Sequence, residues 1–89
     1  MSPQISFFYG ITITLNYNDH LPPHIHAEYQ GYKGRYTIEA DSKPLRGSKL
    51  PKTADKIVRD WIELRERDLA KNWDLARKHK ELIKVIPAK

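Results

Sequence analysis

A chain of 89 residues suffices for one small domain, which hides only roughly 60% of its unfolded surface on folding, and leaves no length for a second. An apolar fraction of 39%, a mean hydropathy of −0.70 and no apolar run near the roughly 18 residues of a spanning segment argue against a membrane helix. The absence of cysteine excludes disulfides, thiol nucleophiles and thiolate metal sites.

The formal charge of +5 is uneven: residues 1–50 hold five Lys/Arg against four Asp/Glu, and residues 51–89 hold eleven against seven. It permits nucleic-acid binding without requiring it, because bases and acids alternate except at Arg77-Lys78-His79-Lys80, where a helix end can use the positive charge. Met1-Ser2-Pro3-Gln4 lacks the basic start of a signal peptide, and Ser6, Gly10, Thr12 and Thr14 interrupt the apolar stretch behind it, so the expected compartment is the cytoplasm.

From Ile11 to Tyr17, Ile11, Ile13, Leu15 and Tyr17 alternate with Thr12, Thr14 and Asn16, the two-residue period of a strand with one buried face. Gly10 marks a bend at its start. Asn18-Asp19-His20-Leu21-Pro22-Pro23 joins turn formers to two prolines and reads as a loop. A second strand over 24–30 sets Ile25, Ala27 and Tyr29 against His24, His26, Glu28 and Gln30, and 31–34, with two glycines, connects it to a third over 35–40. There Tyr36, Ile38 and Ala40 oppose Arg35, Thr37 and Glu39, and residues 41–50 follow as a turn with a short edge strand near Leu45.

Pro51 opens a helical region in which Ala54, Ile57, Val58, Trp61 and Leu64 fall on one stripe. Leu69, Trp73 and Ala76 form a second stripe five residues out of step with Leu64, so a break is expected near 66–68. Leu82, Ile83, Val85 and Ile86 fit a terminal strand ended by Pro87. Both tryptophans belong to the helical apolar pattern and are expected in the core. The sum is one domain over 1–89, β-rich over 1–50, helical over 51–81, with 82–89 as strand or tail. Its class is α+β in two layers: a three- or four-stranded, mainly antiparallel sheet with a helical pair or bent helix on one face.

Only one face of such a sheet can be covered by the helix stripe. The open face gathers Thr12, Thr14, Asn16, His24, His26, Glu28, Arg35, Thr37 and Glu39, with Asp19 and His20 in the loop beside it. Three chemistries share these residues. His24 and His26 lie two apart, roughly 7 Å along a strand, and with His20 or Glu28 they suit an open zinc or iron(II) site. Without metal, His20, His24 and His26 can divide general acid and base work while Arg35 or Lys33 neutralises a phosphate, the set needed to cleave RNA with no cofactor. The third reading pairs the histidines with Asp19, Glu28 and loop carbonyls as a structural unit. Arg77, Lys78 and Lys80 add a second candidate phosphate patch beside Lys33 and Arg35.

The string Phe8-Tyr9-Gly10-Ile11, the run Asn18-Asp19-His20-Leu21-Pro22-Pro23-His24-Ile25-His26-Ala27-Glu28-Tyr29, and Leu50-Pro51, Trp61, Leu69 and Asn72-Trp73 resemble the bacterial family called domain of unknown function 4160. The likeness spans nearly the whole chain, and its His-x-Pro-Pro-His-x-His core is present without departure. The resemblance implies a partner, a small protein of the domain of unknown function 2442 type, and with it a toxin-like role in a two-protein module. The expected activity is then a toxin-like action on RNA through the histidine face. An interaction module without catalysis, docking through the sheet face and its edges, is the alternative. RNA and a second copy of the chain stay open as further partners.

Overall fold

In the computed structural model, which describes residues 3–17, 19–38, 44, 45 and 47–88, the elements run β1 (Gln4–Phe8), β2 (Ile11–Thr14), β3 (His24–Tyr29), β4 (Tyr32–Thr37), α1 (Lys52–Leu64) and α2 (Glu66–Arg77). The strands form one sheet in the order β1-β2-β3-β4, each neighbouring pair antiparallel. The chain is therefore an α+β meander with two C-terminal helices.

Two tight hairpins fix the register. Tyr9 and Gly10 close the first with φ of 50° and 77°, and Gln30 and Gly31 close the second with 47° and 86°, the left-handed pairs that suit the right-handed twist of the flanking strands. The second turn is shorter than the glycines suggested, so β4 begins at Tyr32 and not at Arg35, and Gly34 lies inside the strand. A Cβ on Gly34 would meet Tyr36 Cε1 at 3.0 Å and Leu50 Cγ at 3.4 Å: the glycine lets the Tyr36 ring lie across the backbone. Gly34→Ala is expected to cost about 1–3 kcal/mol by overpacking, read as a lower urea midpoint with an unchanged slope. Residues 39 and 40, read as the end of this strand, lie outside the described residues, as does Asn18.

Ile11, Ile13, Ile25, Ala27, Tyr36 and Ile38 are buried on the covered face. Against them α1 sets Ala54, Val58, Trp61 and Ile62, and α2 sets Leu69, Asn72, Trp73 and Ala76. Phe8 meets Trp61 at 4.9 Å between ring centroids. The helices separate at Arg65 (φ −113°, ψ 21°), one residue before the expected break. Leu64 does not share the stripe: it is exposed, and Ile62 takes the place four residues after Val58. Pro51 stands just before α1 as its N-cap, not in its first turn.

The Tyr36 hydroxyl donates to Asp55 Oδ1 at 2.6 Å, tying β4 to α1. Burial, then this bond and the Asp55 charge, push the Tyr36 pKa well above that of an ordinary phenol, with Arg59 acting the other way. A raised folded pKa means the contribution is complete below the unfolded value near 10 and is lost as pH rises beyond it. Tyr36→Phe should therefore cost about 2 kcal/mol at pH 8, and urea midpoints of variant and parent should converge as pH climbs past 10.

Both sheet margins are occupied. Along β4, Tyr36 bridges Pro44, the N–H groups of Leu45 and Lys49 donate to the carbonyls of Arg35 and Lys33, and Ser48 Oγ bonds both backbone groups of Arg35. The expected edge strand near Leu45 is thus a single bridge. Along β1, a strand the sequence pattern did not reveal, the Val85 N–H donates to the Ile5 carbonyl at 2.8 Å and Ser6 Oγ donates to the Val85 carbonyl. The expected terminal strand over 82–86 is instead an extended tail, pinned where Asn72 bonds both backbone groups of Ile83 and where Trp61 Nε1 donates to the Ile86 carbonyl.

Candidate metal centre

The loop between β2 and β3 turns at the sheet end where α2 passes, and it carries Asp19 back over the strand that follows. Asp19 is only 13% exposed, and its Oδ2 stands 3.0 Å from His24 Nε2 and 3.1 Å from His26 Nε2, while Oδ1 stands 3.1 Å from His20 Nδ1. Asn16, at the end of β2, donates from Nδ2 to the same Oδ2 at 3.2 Å, and the His20 backbone N–H donates to Oδ1. Burial alone would raise the Asp19 pKa. The His26 bond, the His20 N–H and the charge of His24 and His26 outweigh it and hold the carboxyl at about 2, so the group is a carboxylate throughout the neutral range.

His24 is the informative member. Its Nδ1 lies 2.7 Å from the Pro22 carbonyl, and because a carbonyl only accepts, Nδ1 carries the proton. In the neutral ring the lone pair therefore sits on Nε2, beside Asp19 Oδ2. That nitrogen is buried and has no hydrogen-bond partner, since the 3.0 Å approach to Asp19 lacks hydrogen-bond alignment. In that neutral form two lone-pair atoms face one another, a repulsion relieved by a cation between them, either a second ring proton or a metal ion. A backbone carbonyl that fixes one imidazole nitrogen and frees the other is the usual support of a metal-ligating histidine.

Asp19, His24 and His26 each place a donor atom within 4.8 Å of the others. Ligand bonds of 2.0–2.2 Å at tetrahedral angles set donor atoms about 3.4 Å apart, against 3.0 and 3.1 Å from the carboxylate to the two imidazoles here. Among the described residues the third donor is thus Asp19, and neither of the expected candidates. Glu28 is exposed farther along β3 and belongs to no such group. His20 is 76% exposed and meets the carboxylate from outside.

The pleat places His26, Glu28 and Arg35 on the open face as expected, and Lys33, read as part of the connection, joins them from β4, in two cross-strand rows: Phe7, Thr12, Glu28, Lys33 and, beside it, Thr14, His26, Arg35. All of these but Phe7 line a groove of about 410 Å³, together with Gly47. His24 has the same parity yet is 1% exposed, because the Trp73 ring of α2 closes over it at 5.5 Å. This corrects its placement on an open surface: a buried imidazole cannot meet a substrate directly, so acid and base work without metal would fall to His20 and His26. Arg77, Lys78 and Lys80 sit at the end of α2, apart from the groove, with Lys78 held 3.0 Å from Asp74. His79 stacks at 6.3 Å from Tyr17, which brings that helix end toward the loop carrying Asp19.

The sequence profile of a family described as a domain of unknown function (DUF4160) matches residues 10–74, a span that holds β2 to β4, the whole Asp19–His26 cluster, α1 and most of α2. No curated protein and no solved structure matches the chain.

Proposed function

The chain belongs to the domain of unknown function 4160 family, and from the geometry of its loop and third strand we propose that it is a divalent-metal-binding domain, with Asp19, His24 and His26 holding a zinc or iron(II) ion. The observation that carries this reading is the buried Nε2 of His24, which makes no hydrogen bond and lies 3.0 Å from the Asp19 carboxylate. Two imidazoles and one carboxylate are a common open-site donor set, leaving positions for water or substrate. The bound ion would supply Lewis-acid polarisation at the head of the polar groove. In this arrangement His26 links the ion to the groove it lines, buried His24 anchors the ion from behind, and exposed His20 meets the Asp19 carboxylate from outside.

Elemental analysis of the purified, dialysed protein tests the reading. One equivalent of zinc or iron is expected with the parent and with Glu28→Ala, and none with Asp19→Asn or His26→Ala in protein that still melts cooperatively. A parent that retains no metal after incubation with either ion would overturn it. A toxin-like role is tested with the same variants: induction without a partner should arrest growth, and Asp19→Asn should relieve the arrest.

A further inference from the structure

The sheet face beside this centre is furnished for a particular kind of ligand. Phe7 is 54% exposed on β1, in register with Thr12, Glu28 and Lys33, so a bare aromatic ring and a cation mark the two ends of one row. The adjoining row ends at Arg35, opposite His26. Among the described residues that line the groove, Lys33 and Arg35 stand with one carboxylate, Glu28, a balance that favours an anionic occupant, and the threonine hydroxyls between them offer donors and acceptors. Backbone bonds to Ile5, Lys33 and Arg35 already take positions along both sheet margins, which favours the face itself over an added peptide strand.

We propose that this face binds single-stranded nucleic acid, one base stacking on Phe7 and the backbone phosphate crossing to Lys33 and Arg35 beside the ion. Three strand spacings of roughly 4.8 Å separate Phe7 from Lys33, about 14 Å in all, a span that calls for an extended strand more than for a single nucleotide. An aromatic ring on a flat sheet is a stacking platform that tolerates any base. The inference rests on the metal reading for the position of the ion next to the phosphate. Lys33 and Phe7 touch neither the metal ligands nor the core.

Fluorescence anisotropy with a labelled short oligouridylate and its deoxy counterpart, at low and at physiological salt and with zinc present, tests the proposal, and the two oligonucleotides distinguish RNA from DNA as the source of the strand. Affinity should fall with salt, Phe7→Ala should weaken it about tenfold, and Lys33→Ala should flatten the logarithmic salt slope by about 0.7. Unchanged melting temperatures check that both variants fold. No affinity for either oligonucleotide, or affinity that Phe7→Ala leaves unaltered, overturns the proposal. Retained zinc without oligonucleotide binding overturns this inference and leaves the metal centre standing. Oligonucleotide binding by a protein that retains no zinc overturns the metal centre and supports the face.

Discussion

Zinc supplied to the metal-free protein at a hundredfold excess over its dissociation constant is expected to stabilise the fold by about 2.7 kcal/mol, a rise of roughly 10–20 °C in melting temperature for a domain of this size. The ion would relieve an existing conflict as well as add bonds, which lowers the dissociation constant and so the zinc concentration needed for that gain: it would satisfy His24 Nε2, which is buried without a partner, and separate that nitrogen from the Asp19 carboxylate. Asp19→Asn keeps the shape of the side chain and removes the charged donor, so its melting temperature should be the same with and without zinc. His20→Ala, at an exposed position outside the three-donor group, should keep the full rise, and a chelator should reverse it. An equal response to zinc in the parent and in Asp19→Asn would locate binding elsewhere.

Asn72→Ala is expected to destabilise the protein by about 3 kcal/mol, a large part of the 5–15 kcal/mol that holds a typical domain together. Asn72 is 1% exposed and acts as a two-pronged clamp, its Nδ2 donating to the Ile83 carbonyl at 2.9 Å and its Oδ1 accepting the Ile83 N–H at 2.7 Å. Losing it frees the tail that buries Val85 and bonds β1. Asn72→Asp should be at least as damaging at neutral pH, because a carboxylate oxygen would face the Ile83 carbonyl in a buried site. Chemical denaturation measures both, and an unchanged midpoint for Asn72→Ala would mean the tail is held by its apolar contacts and its bonds to Ile5, Ser6 and Trp61.

The elements with clean periodicity were legible. The alternation of Ile11, Ile13 and Leu15 and of Ile25 and Ala27 assigned both faces of the central strands, and the two helical stripes gave the helices and, within a residue, their separation. β1 was not legible, because a register shift between Gln4 and Ser6 buries Ile5 and Ser6 side by side and erases the alternation. Gly34 read as loop because its reason is the neighbouring Tyr36 ring, a tertiary fact.

The candidate site divides in the same way. His26, Glu28 and Arg35 share a face because the pleat dictates it, and Lys33 joins them because the second turn is shorter than its glycines suggested. The role of Asp19 depends on how a loop folds back, and the burial of His24 depends on where Trp73 of a distant helix comes to rest. Neither distance along the chain nor residue type encodes those approaches. A signal was present in the adjacency of Asp19 to the histidine motif, which the structural-pairing reading used and the metal reading did not.

The tail along β1 and the 44–49 segment along β4 also decide how this protein can fail. An open strand margin is a template on which identical chains add one after another, the first step of fibril growth and of strand exchange between subunits. Here each margin is capped by the chain's own backbone through bonds to Ile5, Lys33 and Arg35. The Asn72 clamp shares the holding of the cap on β1 with the bonds of Trp61 to Ile86 and of Ser6 to Val85, so weakening it does more than lower the melting temperature: it loosens the cover of a strand bearing Ile5, Phe7 and Phe8. Seeded aggregation should therefore appear in Asn72 variants at temperatures where most molecules are still folded, and its onset should track release of the tail, not global unfolding.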